Sequence, residues 1–201
     1  EGGHKAWINR MKEPKARKRL LKDIREELSQ QPPEGILMVG FKNPSMADKY
    51  QGKTIAEASE MRKQSPEETI IDMIIEDDSR IQCIYFSMSD QNIRKKIKLP
   101  WVSFCSDAGS YSDPKEGFRT HPRAYGSFIR VLGKFSRDEN LLSLEEAIRK
   151  LSGLPASNLG LKDRGLLKEN YFGDVVIFDP NTVGDNATFE NPLQYANGIE
   201  Y

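Results

Sequence analysis

The stretch IQCIYFSMSDQNIRKKIKLPWVSFCSDAGS, residues 81–110, decides how this chain is read. Ile81 to Phe86 is an apolar, β-branched and aromatic run of strand length. Ser89 stands where a helix N-cap belongs, and a helix through Ile97 follows it. Trp101 to Cys105 is a second apolar run, and it opens into a loop of small polar residues. Strand, helix, strand with short loops is the grammar of a parallel sheet wrapped by helices, and in such folds the loop after a strand is the functional side.

Upstream, Gly35 to Phe41 is an apolar run between breakers, as a strand buried on both faces would be, closed by Asn43-Pro44. Before it, Pro14 and the spacing of Ala16, Leu20, Leu21, Ile24 and Leu28 predict a helix over 14–29, ended by Pro32-Pro33. Thr54 with Glu57, and Ser65 with Pro66 and Glu68, are capping boxes that predict helices over roughly 55–63 and 66–77. Downstream, residues 106–120 lack periodicity and form a loop, and a helix is expected from Pro122 to about Phe135. Ser143 with Glu146 caps a helix carrying Leu144, Ala147, Ile148 and Leu151. Gly173 to Pro180 reads as a strand in a segment that has changed to turns and strands, so a domain boundary is expected near residue 161.

Of the 201 residues 37% are hydrophobic and 30% charged, the composition of a soluble globular protein of one or two domains. Thirty basic residues balance thirty acidic ones, so the basic footprint of a nucleic-acid binder is missing. No apolar stretch approaches the ~20 residues of a spanning helix, and neither nucleic acid nor membrane is expected as a partner. Residues 1–30 carry nine basic and five acidic side chains, and residues 55–80 eight acidic and three basic, which read as solvated helix faces. Cys83 and Cys105 sit in apolar runs as small hydrophobes, not as a disulfide framework. Glu1 opens inside what reads as a structured segment and Tyr201 stops at a strand approach. A fragment of a longer protein is therefore expected, and the compartment stays open.

The two histidines, His4 and His121, lie more than a hundred residues apart, and no ligand-type pair has the spacing of a closed zinc site. There is no GxSxG elbow and no phosphate-binding glycine loop. Catalysis would rest on carboxylates, cations and residues supplied from elsewhere. Asp107 is the best candidate, two residues beyond an apolar strand in a loop that lets a substrate come close, although an Asx-turn is the ordinary role of such an aspartate. His121, Arg123 and Tyr125 open the next element, so a carboxylate and a guanidinium could share one mouth, an arrangement suited to carboxylate recognition.

SDAGS at 106–110, THPRAYGSFIRVLGKFSRD at 120–138 and LSLEEAIRKLSGLPASNLGLKDRGLLKENYFGDVVIFDP at 142–180 resemble the C-terminal part of the N-acyl-D-amino-acid deacylases, the D-aminoacylases of the metal-dependent amidohydrolase superfamily. EGG at the start, GFKNP at 40–44 and IYFSMS at 84–89 extend the resemblance over nearly the whole chain. The chain departs from the family pattern at Asn170, where glycine is usual, and at Gly173, where alanine is.

The resemblance implies an α/β fold: the C-terminal part of a (β/α)8 barrel, with an inserted segment, over 1–160, and strands of a small β-sandwich domain over 161–201. It implies zinc as cofactor, with its other ligands upstream of this chain, and an N-acyl-D-amino acid as the small-molecule partner. Asp107 would be both catalytic residue and metal ligand, taking a proton from the water that the metal activates and passing it to the leaving nitrogen. Arg123 would hold the substrate α-carboxylate, and Tyr85 and Met88 would line the side-chain pocket. Taken alone, Tyr85 and Met88 would read as core residues and His121 as a cap or supporting residue. The rival readings are a dihydroorotase-like or other cyclic-amide hydrolase, and a non-catalytic scaffold that keeps the fold.

Overall fold

The computed structural model describes residues 2–109 and 120–200. The described residues divide into two compact units, one over 2–87 with Thr120 and one over 88–109 with 121–200.

In the first unit, α1 (Gly3–Lys12) leads into α2 (Pro14–Gln30), which Pro14 opens. The sequence predicts α2 but not α1, whose buried residues are only Ile8 and Met11. Strand β1 (Ile36–Gly40) is buried along its whole length. Helices α3 (Pro44–Tyr50), α4 (Ile55–Arg62) and α5 (Pro66–Asp77) follow, then β2 (Gln82–Tyr85). Both capping boxes form as the sequence predicts: Thr54 accepts from the Glu57 amide and Ser65 from the Glu68 amide, with each glutamate reaching back to its cap.

The core gathers Ile36, Met38, Phe41, Met46, Tyr50, Ile55, Ala58 and Met73. Arg17 pairs with Asp72 at 2.7 Å and Arg25 with Glu67, bracing α2 on α5. The buried Asp77 carboxylate accepts the backbone N–H groups of Lys42 (3.1 Å) and Asn43 (2.9 Å), tying the end of α5 to the exit of β1.

The sheet corrects one expectation. The parallel arrangement that the strand–helix–strand grammar predicts for 81–86 and 101–105 does not form among the described residues; β2 instead pairs antiparallel with β1, with Met38 opposite Cys83 and Leu37 opposite Ile84. Three helices separate β1 from β2, enough chain to come back from either end.

In the second unit, α6 (Asp90–Ile97) is capped by Ser89 as expected. Residues 101–105 do not form the expected strand, because a strand needs a ladder partner and none of the described residues pairs with them. Cys105 is accordingly exposed rather than buried, and Cys83 is half-buried. Helix α7 (Arg123–Arg130) continues as a π-helix over Val131–Asp138, beyond the expected end near Phe135. α8 (Leu144–Leu151) is capped by Ser143 as the sequence predicts, and α9 (Gly153–Asn158) follows with no sequence signal of its own. The apolar run at 173–180 yields only the short β3 (Ile177–Phe178), paired antiparallel with β4 (Ile199–Glu200).

Ile97, Ile129, Val131, Leu132, Leu142, Ala147 and Val183 form the core of this unit. A Cβ on Gly133 would lie 2.7 Å from the Val183 carbonyl oxygen, so only glycine lets the π-helix approach that backbone. Arg94 grips Glu139 with two bonds, at 2.7 and 2.8 Å, and Arg130 reaches Asp185 at 2.7 Å. Both departures from the family pattern are accommodated: Asn170 adopts a left-handed φ of 66°, and a side chain on Gly173 would meet no atom within 4 Å. Among the described residues no helix is long and apolar enough to cross a membrane.

Candidate functional site

Asp107 sits on irregular backbone after α6 with φ 49°, a left-handed conformation that aspartate tolerates better than most residues. Two residues before it, Cys105 is exposed; one before it, Ser106 accepts the Ala108 N–H at 3.3 Å, the tight turning the small residues of SDAGS allow. Arg123 begins α7, and its Nη1 lies 3.0 Å from Asp107 Oδ2. The carboxylate and the guanidinium that the sequence proposes for one mouth are thus in contact, although sixteen residues separate them. The Asp107 side chain is 78% exposed and that of Arg123 is 42% exposed, so both can meet a ligand. A solvated pair of this kind contributes little stability, on the order of 0–1 kcal/mol.

His121 completes the cluster. Its Nδ1 accepts the Arg123 backbone N–H at 3.0 Å, closing the first turn of α7, and its ring meets Phe189 edge-on at 5.2 Å. An accepting Nδ1 carries no proton. Burial, and next the Arg123 guanidinium, hold the imidazole below its ordinary pKa, and Asp107 opposes them only in part. Tyr85 ends β2 opposite Ile36 and is 57% exposed, and Met88 precedes α6 and is 69% exposed. Neither is the core residue its type alone suggests, and each belongs to a different unit.

Among the described residues no three His, Cys, Asp or Glu side chains converge as a metal site needs. Asp107 is one carboxylate, already turned to Arg123, and by itself does not fit zinc, which takes three protein ligands in catalytic sites. Lys150, which the sequence does not single out, is fully buried beneath the segment leading to Asp107. Its spacing of three from Ala147, on the buried stripe of α8, was the signal.

The chain belongs to the amidohydrolase family, whose model matches residues 93–197, the region that contains Asp107, His121 and Arg123. Within it, the similarity is to the N-acyl-D-amino-acid deacylases, as the quoted motifs suggest. The chain is 42% identical over 116 residues to a D-aminoacylase of Alcaligenes xylosoxydans xylosoxydans, a match spanning 58% of this chain and 23% of that protein. It is 43% identical over 116 residues to the N-acyl-D-aspartate deacylase of the same organism, spanning 58% of this chain and 22% of that one. The chain thus spans under a quarter of the length of these curated relatives.

Among solved structures, the chain resembles a D-aminoacylase with a binuclear metal centre at 32% identity and a TM-score of 0.68, covering 82% of this chain and 32% of that one. It also resembles the N-acyl-D-glutamate deacylase of Bordetella bronchiseptica, solved with zinc and a phosphonate mimic of the tetrahedral intermediate, at 28% identity and a TM-score of 0.72, covering 87% of this chain and 34% of that one. Over the matched part the chain shares the D-aminoacylase fold.

Proposed function

We propose that this chain is part of a zinc-dependent amidohydrolase that cleaves the acyl amide of N-acyl-D-amino acids to a carboxylate and a free D-amino acid. The observation that carries the proposal is the 3.0 Å contact between Asp107 and Arg123 inside the region matched by the family. In this reading residues 1–160 belong to the C-terminal part of a (β/α)8 barrel with an insertion, and residues 161–201 to a small β-sandwich. The zinc of the Bordetella relative would take most of its ligands from outside this chain and would polarise the scissile carbonyl.

The chain's own residues have distinct tasks. Asp107 accepts a proton on its carboxylate as water adds to the amide and delivers it to the departing nitrogen, the work of a single general acid–base group. Arg123 takes the substrate α-carboxylate; its fork of donors can hold two oxygens in parallel, and in exchange it gives up its grip on Asp107. Substrate binding would thereby free the base at the moment it is needed. Tyr85 and Met88, exposed and apolar, would line the substrate side chain, with Met adapting to varied shapes.

The test is Asp107→Asn in the longer protein, assayed on N-acetyl-D-amino acids and their L enantiomers. The D substrates should be hydrolysed by the parent, and the variant should lose ~10²-fold or more in kcat with a smaller change in KM. Full activity in the variant would remove Asp107 from the reaction.

A further inference from the structure

The segment that delivers Asp107 has few backbone hydrogen bonds of its own, although Phe104 packs against the core of this unit. From Trp101 to Gly109, its one backbone-to-backbone bond among the described residues runs from the Val102 N–H to the Leu99 carbonyl, at 3.1 Å. The Asp107–Arg123 pair is too exposed to fix the segment by its own strength. The root of the segment is held instead by α8. Lys150, 0% exposed, donates from Nζ to the carbonyls of Ile97 and Leu99, each at 2.5 Å, and its Nζ lies 5.6 Å from the centre of the Phe104 ring. Beside it, Arg149 reaches the Pro100 carbonyl at 2.6 Å while it holds Glu146 at 2.7 Å.

The Ile97 carbonyl ends α6, where the helix leaves its last C=O groups without partners and its dipole is negative, and the Leu99 carbonyl, two residues on, also accepts the Val102 N–H. Lys150 therefore acts as a cap supplied by another helix. Burial works against it, pulling its pKa below the ordinary lysine value. A methionine of similar length would fill the same space without desolvating an ammonium. What methionine lacks is donors: without them the Ile97 carbonyl loses the Lys150 ammonium, the Leu99 carbonyl keeps only the Val102 N–H, and the hold on residues 100–104 loosens.

We infer that Lys150, with Arg149 beside it, is the positioning element of the Asp107 loop, pinning residues 97–104 so that Asp107 emerges three residues later against Arg123. The geometric statement stands on the structure, and its bearing on catalysis rests on the function proposed above.

The 201-residue chain tests the geometry by NMR, through the NOEs between the Asp107 β protons and the Arg123 side chain. Lys150→Met should keep a dispersed spectrum and a melting temperature within about 4 °C of the parent, yet lose those NOEs. Arg149→Ala, which removes the Pro100 tie at an exposed side chain, should weaken them by half or more. Parental intensities in folded Lys150→Met overturn the inference; should that variant not fold, parental intensities in Arg149→Ala do so. In the longer protein, Lys150→Met should lower kcat at least tenfold with KM nearly unchanged, the mark of a misplaced base rather than a damaged binding site. Loss of the NOEs with full turnover would leave the positioning role standing and overturn the role given to Asp107.

Discussion

His121 shows how one side chain can serve a neighbour. Its unprotonated Nδ1 closes the first turn of α7 and so aims Arg123, and protonation would remove that acceptor while placing a cation beside a guanidinium. Because its pKa in the folded chain lies below the ordinary 6.5, the unfolded chain binds more protons at this group in the interval between the two values. Stability should therefore rise with pH through that interval, with this contribution complete above 6.5 and lost as the pH falls through the folded value. A proton NMR titration should place the His121 midpoint below 6.5, and His121→Gln should flatten the stability change between pH 5 and 7 in urea unfolding. A midpoint at or above 6.5 would contradict the burial and charge argument. At this scale the sequence was informative where chemistry is local. Asp107 after a strand-like run and Arg123 in HPR could be named, whereas the bond between them depends on a fold no spacing reveals. Lys150 was hidden because lysine is read as a surface residue, and only its place on a helix stripe marked it otherwise.

Among the elements, helices opened by a Ser or Thr cap were legible, and so were the strands β1 and β2, whose pairing was not. Ser65 and Glu68 satisfy their donors within four residues, so α5 is specified locally; Ser65→Ala should cost about 1 kcal/mol in denaturant unfolding. The same helix buries Thr69 completely, and its hydroxyl finds no partner among the described residues. Thr69→Val keeps the shape and removes the unpaired oxygen, and it should raise stability by about 1 kcal/mol, whereas a loss would show that the hydroxyl is in fact satisfied. Strand pairing involves distant partners, which is why β1 and β2 came out antiparallel and why residues 101–105, apolar enough for a strand, lie irregular. α1 and α9 have no side-chain cap at their N-termini and so carry no local start signal, whereas Asn43 does cap α3 but Asn43-Pro44 reads equally as the end of β1.

For the whole molecule, the family was readable from runs such as HPR and VVIFDP, and the chain's 42% identity to D-aminoacylase over 116 residues agrees with them. The metal site was not readable, since one carboxylate cannot define it. The 201-residue chain alone should accordingly retain far less than one zinc per chain after a chelating wash, measured by atomic emission. The central claim, that Asp107 and Arg123 belong to a deacylase site reading an α-carboxylate, is tested most directly by Arg123→Lys in the longer protein. The measurement is kcat/KM for an N-acyl-D-amino acid and for the corresponding acyl amine without the carboxylate, in parent and variant. Loss of a paired, charge-assisted grip of ~2 kcal/mol should lower the first about thirtyfold and leave the second nearly unchanged. An equal proportional loss on both substrates would show that Arg123 supports the fold only and would contradict the account.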